Sequence, residues 1–369
     1  LLYLLLGSLF VYLIFLWLRT RRHLPEGLRG CKFVRLDYLR KLAAQGGPIR
    51  RCQDLPPEAF GDVTKAQYLI VISHRWIHRY TCDVATEEYP CGVRLRTMLE
   101  KLELYFSIQG FGKGHNLTDR WRRLCLSLTG GRDVVVFFDF MSLPQVGLAP
   151  DGSLSLRSDE DTSLFKRCLP HMGILYSMFP ILVCDEVVGD AEPYNSSGWC
   201  FSELSIGLLG NQLGMFSSNN EHVSQLSKPE SLRGDALKNF IDVSNSDLAS
   251  KNFFNECDRE IVRGIISSFL YKSRLVDAIN SKDASAVSDV LRDLKQLRLH
   301  DFLDQPIDAS LNTPLHLAVA RGFTKGVEQL MACGAKRSCV NWYGDTPVQR
   351  RILPRVGGAA MACRFNKGS

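Results

Sequence analysis

Three runs of apolar residues constrain the fold of this 369-residue chain more than any other feature. Residues 67–72, 133–138 and 179–184 are each almost continuously apolar, and such runs are typical of parallel strands covered by helices on both faces. Apolar residues at helical spacing lie between them, over 93–106 and 164–176. This alternation of strand and helix predicts an α/β domain with a doubly wound, flavodoxin-like parallel sheet.

Polar residues follow these runs at the points where the predicted strands end. The first run ends in Ser73-His74-Arg75-Trp76, the second in Asp139, and the third is followed by a loop that leads to Glu203. Ligands of doubly wound sheets bind beyond the carboxyl ends of the strands. The acidic, Ser-rich segment 151–162 is long enough to act as a lid there. We therefore predict one site in the α/β domain, residues 66–215, formed by Ser73, Arg75, Trp76, Asp139, Trp199 and Glu203.

The same polar blocks resemble the motifs of a known superfamily. Segment 194–204 reads Tyr-Asn-Ser-Ser-Gly-Trp-Cys-Phe-Ser-Glu-Leu and resembles the Trp-Cys-x-x-Glu-Leu motif of plant-type Toll/interleukin-1 receptor (TIR) domains. Residues 72–76 are similar to the Ser-Phe-Arg-Gly segment that ends their first strand, with His74 in place of Phe and Trp76 in place of Gly. Phe138-Asp139 is similar to the Phe-x-Asp of their second strand.

The chain also resembles fungal heterokaryon-incompatibility domains, which are TIR-like. Their blocks are Ser-Tyr-x-Trp-Gly, Ile-Asp-x-x-Cys-Ile-Asn-Gln, Met-x-x-Ile-Tyr and Arg-x-Trp-x-x-Glu. Similar blocks occur here in the same order, at 73–76, 138–145, 172–176 and 198–203. The loop after Asp139, Ser-Leu-Pro-Gln after two apolar residues, is closer to this second family.

The resemblance implies a chemistry for the predicted site. In TIR domains that are enzymes, the Glu of the Trp-Cys-x-x-Glu block is the catalytic residue that cleaves the nicotinamide–ribose bond of NAD⁺, which would make Glu203 catalytic here. A nearby carboxylate stabilises the oxocarbenium-like state of glycosidic cleavage. Arg75 can pair with the pyrophosphate, and Trp76 or Trp199 can stack on a base or on the nicotinamide ring. NAD⁺ is then the substrate, and neither a cofactor nor a metal ion is expected.

Less specific interpretations exist for the same residues. Glu203 can solvate or cap the first turn of an apolar helix, Asp139 can hydrogen-bond a neighbouring loop, and Trp199 can pack in the core. A hydrolase built on adjacent Ser73 and His74 is disfavoured, because the two side chains do not readily face each other and no G-x-S-x-G elbow is present.

Two functions from different classes follow. The first is a membrane-tethered signalling or self-defence-type protein whose TIR-like domain cleaves NAD⁺. Many members of both families act by self-association instead. The alternative is therefore a non-catalytic scaffold in which the α/β domain self-associates and the C-terminal part binds a protein.

The N-terminus has the composition of a membrane anchor. Residues 1–18 are almost entirely apolar, with Trp17 near their end, and Arg19, Arg21 and Arg22 follow. A spanning helix needs about 20 such residues. A signal peptide is disfavoured because no small-residue cleavage site follows, and a core helix is disfavoured because the segment has no polar face. We predict a single-pass anchor with the main domains on the cytoplasmic side.

The net charge of +6 is concentrated next to this anchor. Ten Lys and Arg residues lie between Arg19 and Arg51, against Glu26 and Asp37, so the rest of the chain is slightly acidic. We therefore interpret 19–65 as a basic juxtamembrane segment that binds anionic headgroups, and we expect no nucleic-acid partner. The twelve Cys residues lack CxxC pairs and zinc-spaced His partners, which indicates reduced thiols in a cytosolic environment.

A repeat distinguishes the C-terminal part. Thr313-Pro314-Leu315-His316 recurs as Thr346-Pro347-Val348 after 33 residues, which is the spacing and signature of ankyrin repeats. We predict about two and a half ankyrin repeats over 266–351, which bind an unidentified protein partner. A Ser- and Asn-rich linker over 216–265 is predicted before them and an irregular tail over 352–369 after them.

Overall fold

A computed structural model describes residues 24–348, apart from 67, 78, 107–132, 150, 218–219, 225, 227–233, 298–299 and 309. The described residues form two compact units, one with 26–62 and 66–274 and the other with 24–25, 63–65 and 275–348. Within this part of the chain, no helix combines the length and the apolar character that crossing a membrane requires. The predicted anchor, residues 1–18, and the predicted tail, 352–369, lie outside the described residues.

The first unit is built on a five-stranded sheet. Its strands are β1 (Phe33–Arg35), β2 (Phe60–Gly61), β3 (Tyr68–His74), β4 (Val134–Phe137) and β7 (Ile181–Cys184), while β5 (Gly147–Leu148) and β6 (Leu154–Ser155) form a separate hairpin. The spatial order is β2-β1-β4-β3-β7. Strand β3 runs parallel to β4 and β7, and all three are buried along their whole length. The predicted α/β class and its three apolar strands are confirmed.

The sheet is mixed rather than wholly parallel, which corrects the prediction. Strand β1 is antiparallel to both β4 and β2. Strands β1 and β2, of which β2 lies at the edge of the sheet, both come from the segment 19–65 that we interpreted as a basic juxtamembrane stretch. Strands of two and three residues are too short to show a period in the sequence. The basic residues nearby lie partly on helix α1 (Leu36–Ala44), which buries Leu36, Leu39 and Leu42.

Helices cover the sheet and supply most of the rest of the core. After α1 they are α2 (Val93–Phe106), α3 (Asp139–Ser142), α4 (Asp159–Cys168), α5 (Met172–Met178), α6 (Gly198–Leu209), α7 (Glu221–Ser224), α8 (Gly234–Ala249) and α9 (Asp258–Asn280). Short 3-10 turns lie at Glu26–Leu28, Cys52–Asp54, Pro57–Ala59, Leu169–His171 and Tyr194–Ser196. Leu95 and Met98 of α2 share one buried cluster with Ile70 and Ile72 of β3. This packing fixes the strand ends that carry the predicted site.

The segment predicted as a lid, 151–162, is part of folded elements. Strands β5 and β6 pair antiparallel, and α4 begins after Ser158, whose hydroxyl accepts a hydrogen bond from the backbone N–H of Asp161 at 3.1 Å. Asp159 and Glu160 occupy the first turn, where the helix dipole favours negative charge. The acidic residues that suggested a loop therefore start a helix.

The segment predicted as a linker, 216–265, is largely helical. It contains α7, α8 and the first part of α9. Leu248, Val262 and Ile266 form a small buried cluster, against which Trp199 packs. The Ser and Asn residues obscured this helical spacing of apolar side chains, so composition alone gave the wrong interpretation.

The second unit consists of short helices. After the end of α9 they are α10 (Ala284–Gln296), a 3-10 turn (His300–Asp304), α11 (Pro314–Ala320) and α12 (Thr324–Ala332). Helix α11 has a capping box between Thr313 and His316, with Pro314 in its first turn. The predicted Thr-Pro-Leu-His block thus starts a helix. The assignment of these helices to ankyrin repeats stays a prediction.

Candidate functional site

A cavity of about 760 Å³ lies in the first unit, at the carboxyl ends of β3 and β4. Sequence reasoning placed the site at this edge of the sheet. Of the six predicted site residues, the structure brings five to the lining of this cavity: Arg75, Trp76, Asp139, Trp199 and Glu203. The sixth, Ser73, is fully buried behind it and does not line it.

Glu203 carries the most perturbed carboxyl group of the cavity. Its Oε2 accepts a hydrogen bond from Ser73 Oγ at 2.5 Å, and the hydroxyl of Tyr176 is a second hydrogen-bond partner. Burial raises the pKa of Glu203 to about 8, opposed by these two hydrogen bonds and assisted by the negative charge of Asp139. Glu203 is therefore largely protonated at neutral pH and ionises slightly above it.

Glu203 neither caps its helix nor lies in its first turn, which removes the interpretation that it caps or solvates the start of the helix. Helix α6 begins at Gly198, where the Ser197 side chain accepts a hydrogen bond from the backbone N–H of Cys200. The first turn of α6 contains no acidic residue, and Glu203 lies in the next turn. The carboxyl group therefore gains little from the helix dipole, and its burial requires another explanation.

Ser73 connects Glu203 to a second hydroxyl. Ser73 Oγ and Tyr194 Oη lie 2.5 Å apart, and both side chains are buried. When Glu203 is ionised, Ser73 donates to its carboxylate, and Tyr194 then donates to Ser73. Ser73 therefore positions Glu203 and does not line the cavity, so the structure does not support its predicted substrate-binding role. Tyr194 precedes the Trp-Cys-x-x-Glu block and was missed by sequence reasoning.

Asp139 holds two aromatic side chains at the end of β3. Its Oδ1 is 2.8 Å from His74 Nε2, and its Oδ2 accepts a hydrogen bond from Trp76 Nε1 at 2.9 Å. The ring of His74 stacks on Phe138, with centroids 4.3 Å apart. His74 Nδ1 is buried and has no hydrogen-bond partner among the described residues. The proton of a neutral His74 therefore resides on Nε2, facing Asp139.

Arg75 and Glu192 form an ion pair at the cavity, with Arg75 Nη2 2.7 Å from Glu192 Oε2. The same carboxylate oxygen accepts a hydrogen bond from Asn252 Nδ2 at 2.7 Å. Arg75 is buried, and its Nε–H has no acceptor within the described chain. Glu192 follows β7, so the rule that selected Arg75 and Asp139 also applies to it. Sequence reasoning missed Glu192 because the loop between β7 and Glu192 contains no recognisable motif.

Trp199 both packs and lines the cavity. It contacts the small apolar cluster formed by α8 and α9, and its Nε1 donates to Asp258 Oδ2 at 3.1 Å. Gly198 is required beside it, because a Cβ at that position would lie 1.9 Å from the ring of Phe253. Trp199 therefore both packs in an apolar cluster and faces the cavity, so the two alternatives for this residue do not exclude each other.

A nucleophilic triad of Ser73, His74 and Cys200 is not formed. Ser73 is bonded to Glu203 and Tyr194, whereas His74 is bonded to Asp139. Cys200 Sγ donates to the backbone oxygen of His74 at 3.5 Å, and burial raises the pKa of the thiol well above its ordinary range. Cys200 is therefore a protonated structural thiol.

Sequence reasoning named no site residue on one side of the cavity. This side comes from the end of the block 138–145, the β5–β6 hairpin, α4 and the segment that joins α8 to α9. Part of it was predicted only as a lid, over 151–162, and the segment that joins α8 to α9 carries no motif. The residues that this side contributes include Gln145, Leu154, Leu156, Arg157, Phe165, Asn252, Phe253, Phe254, Asn255 and Asp258.

No group of three or more His, Cys, Asp or Glu side chains within the described ranges is arranged to hold a metal ion. The arrangement combines an ionisable buried carboxyl, an Asp–His pair, two cavity-facing indoles and several guanidinium groups. Such a set can bind a polar aromatic ligand and act on it by acid–base or electrostatic catalysis. Comparison with protein-family models, with curated proteins and with solved structures finds no match to this chain.

Proposed function

We propose that the first unit is an NAD⁺ glycohydrolase, which cleaves the nicotinamide–ribose bond with Glu203 as the catalytic residue. The observation that carries the proposal is the Glu203 carboxyl, which is buried, titrates near pH 8 and lines a cavity of about 760 Å³. Cavities of roughly 300–1,000 Å³ are typical of small-molecule sites. The resemblance to TIR motifs at Glu203, Arg75 and Asp139 points to the same chemistry.

The proposed reaction breaks the bond between C1′ of the ribose and the pyridinium nitrogen. The nitrogen leaves with the bonding electron pair as neutral nicotinamide, and a water molecule bonds to C1′ and loses one proton. The products are ADP-ribose, nicotinamide and H⁺. Positive charge develops on the ribose in the transition state, which the Glu203 carboxylate stabilises. The same carboxylate accepts the proton, since its pKa near 8 lies close to neutral pH.

Only the ionised form of Glu203 can perform these roles. In the free protein a pKa of about 8 leaves most molecules protonated at pH 7. The positive charge of a bound nicotinamide ring favours the carboxylate and lowers this pKa. The rate constant kcat/KM, which reports the free enzyme, is therefore expected to rise with pH and to level off above about 8.

The second unit supports a further part of the proposal. We infer that its helices belong to ankyrin repeats and bind a protein partner. The supporting features are the capping box before α11 and the exposed apolar side chains of Val340, Tyr343 and Val348, since exposed apolar residues are typical of protein-binding surfaces. Membrane attachment through 1–18 and self-association of the first unit remain predictions.

The test is nicotinamide release from NAD⁺ by the full chain, reconstituted on liposomes so that the protein is clustered. The Glu203→Gln variant keeps the size of the side chain and removes its charge. We expect it to lose at least about 100-fold in rate, the range of general acid–base contributions. Glu58→Gln is the matched control, because Glu58 is an exposed Glu outside the cavity.

Release that persists in Glu58→Gln and disappears in a folded Glu203→Gln establishes the glycohydrolase. Absence of turnover in every form, even when clustered, contradicts it. The alternative, a non-catalytic scaffold that self-associates and binds protein through its second unit, then takes its place. Circular dichroism of each variant separates loss of chemistry from loss of folding.

A further inference from the structure

Arg157 is a cation of the cavity that the proposed chemistry does not use. Its guanidinium carbon lies 3.6 Å from the centroid of the Phe165 ring. Its only hydrogen bond is a long one, 3.5 Å from Nη2 to Gln145 Oε1, and its buried Nε–H has no acceptor among the residues described. Stacking thus holds the planar group in place while most of its donors remain unpaired, which is unusual for a partly buried guanidinium.

Hydrogen bonds connect Arg157 to the residues around Glu203. The Gln145 side chain that contacts Arg157 also donates from Nε2 to the backbone oxygen of Asp139 at 3.3 Å. Gln145 is buried, and its backbone N–H is bonded to the Gln53 side chain. Arg157 is therefore attached through one rigid residue to the Asp139 end of the cavity, and it lines that cavity itself.

Arg75 is a second cation with unused donors. It is buried, lines the cavity and keeps an unpaired Nε–H, while one Nη atom is paired with Glu192. Glu192 is half exposed, and the oxygen that pairs with Arg75 also accepts hydrogen bonds from Asn252 and Ser196, so a phosphate that binds Arg75 has to compete with this carboxylate. The Nε and Nη donors of a guanidinium form a fork that matches two oxygens of a phosphate.

We propose that Arg157, together with Arg75, forms an anion site for the phosphate groups of the ligand, and that Glu192 competes with those phosphates for Arg75. This deepens the proposed function, on which it rests, by naming the residues that bind the two phosphates of the nucleotide. Burial lowers the pKa of Arg157 from its ordinary value, which shows that the cation is poorly solvated and gains from a bound anion.

The donor geometry of Arg157 fits a bidentate oxyanion such as a phosphate. The Phe165 ring occupies one face of the Arg157 guanidinium, which leaves the N–H donors not bonded to Gln145 for a bidentate contact. Among the described residues the hydrogen-bond acceptor of Arg157 is one neutral amide oxygen, that of Gln145. The carboxylate of Asp161 acts on Arg157 through its charge and raises the pKa of Arg157, against the larger effect of burial, without a hydrogen bond between the two among the described residues. An acidic peptide would present carboxylates to the same fork, and its binding is one of the outcomes that the test separates.

The experiment measures binding of ADP-ribose to the full chain by calorimetry. ADP-ribose carries the two phosphates and lacks nicotinamide, so the readout is independent of catalysis. We expect Arg157→Gln to weaken binding at least about tenfold, equivalent to about 1.4 kcal/mol. We expect Glu192→Gln to strengthen it severalfold. Arg96→Gln is the matched control, because it removes the same charge from an exposed ion pair outside the cavity.

Adenosine, which has no phosphate, serves as the second probe, and a Glu-rich peptide as the third. Binding of ADP-ribose that falls in Arg157→Gln but not in Arg96→Gln, with adenosine unaffected, supports the anion site. Equal affinity of folded Arg157→Gln and the unmodified protein overturns it, as does the absence of any ADP-ribose binding. Preference for the peptide over ADP-ribose also overturns it.

The outcomes for the two proposals are distinct. If NAD⁺ is cleaved but Arg157→Gln leaves both KM and ADP-ribose affinity unchanged, the glycohydrolase stands and the anion site fails. If no NAD⁺ is cleaved but ADP-ribose binds in an Arg157-dependent way, the anion site stands. The first unit is then a nucleotide-binding module without that activity.

Discussion

The two sides of the cavity differ in how completely their polar groups are paired. One side, which we call the strand-end side, lies at the carboxyl ends of β3 and β4. There the Asp139 carboxylate is hydrogen-bonded to His74 and Trp76, and the Glu203 carboxyl is hydrogen-bonded to Ser73. The other side, which we call the hairpin side, is formed around the β5–β6 hairpin and α4. There, among the described residues, Arg157 has one long hydrogen bond and an unpaired Nε–H. Paired carboxylates fix positions, as the catalytic role proposed for Glu203 requires, whereas unpaired donors provide binding energy to a ligand. Pairing is incomplete on the strand-end side too, where Arg75 Nε–H and His74 Nδ1 have no partner among the described residues, and Arg75 therefore joins Arg157 in the proposed anion site.

The largest expected effect concerns the pH dependence of stability. An ordinary Glu titrates near pH 4.3, whereas folded Glu203 titrates near 8. The unfolded chain therefore binds fewer protons between these values, so the unmodified protein loses stability as pH rises through this window and no further above it. Glu203→Gln lacks this loss. We expect the gap between the two proteins to grow by a few kcal/mol from pH 5 to pH 9 in denaturant titrations.

Glu58→Gln is the control for this measurement, and its stability should parallel that of the unmodified protein at every pH. A gap between Glu203→Gln and the unmodified protein that is independent of pH would show that Glu203 titrates normally. The ionisation of Glu203 on the strand-end side would then make no pH-dependent contribution to stability, and the two sides would not differ in this respect.

The next effect tests whether Asp139 organises the strand-end side. Asp139→Ala leaves the donors of buried His74 and half-buried Trp76 unpaired, and we expect a loss of about 2 to 3 kcal/mol in unfolding free energy. Thermal unfolding measures it. Asp37→Ala, which removes an exposed carboxylate paired with Arg40, is expected to change stability by less than about 0.5 kcal/mol. Equal effects of the two substitutions would contradict the assignment.

A smaller effect concerns Ser73. Its hydrogen bond to Glu203 lowers the pKa of that carboxyl, so Ser73→Ala is expected to move the pKa above 8. The midpoint of the pH profile of kcat/KM should shift to higher pH by the same amount. Ser205→Ala, in the same helix as Glu203, removes a hydroxyl that is bonded to a backbone oxygen and should leave the midpoint in place. A purely structural Ser73 would lower the rate without moving the midpoint.

The smallest effect sharpens the comparison on the hairpin side. Phe165→Leu removes the aromatic face under Arg157, and we expect ADP-ribose affinity to fall roughly two- to fivefold, the equivalent of about 0.5 to 1 kcal/mol. Phe165→Tyr retains the face and should retain the affinity. Calorimetry of both variants decides whether stacking preorganises the guanidinium.

The strand-end side could be predicted from the sequence because strand ends follow continuous apolar runs. Arg75, Trp76 and Asp139 come directly after two such runs, and the parallel order of the strands brings them together. Ser73 was misplaced because β3 continues through His74, which keeps Ser73 inside the strand. Alternation of side chains then directs Ser73 and His74 to different partners.

The hairpin side could not be predicted, since its residues meet only through tertiary packing. Arg157 and Asn252 belong to segments that we interpreted as a lid and a linker from composition. Strands β1 and β2 were missed for a different reason, because two or three residues show no period. Periodicity finds long elements, whereas short strands and loop-borne side chains depend on contacts that one sequence does not display.

The two indoles of the cavity have a practical consequence for the search for a ligand. Trp76 and Trp199 both line the cavity and are half-buried, and both donate from Nε1 to a carboxylate. Indole emission shifts in wavelength and intensity when surrounding water is displaced. The protein therefore contains its own optical sensor, and unlabelled compounds of any chemistry can be screened by intrinsic fluorescence, with Trp199→Phe and Trp76→Phe reporting which end of the cavity each compound fills.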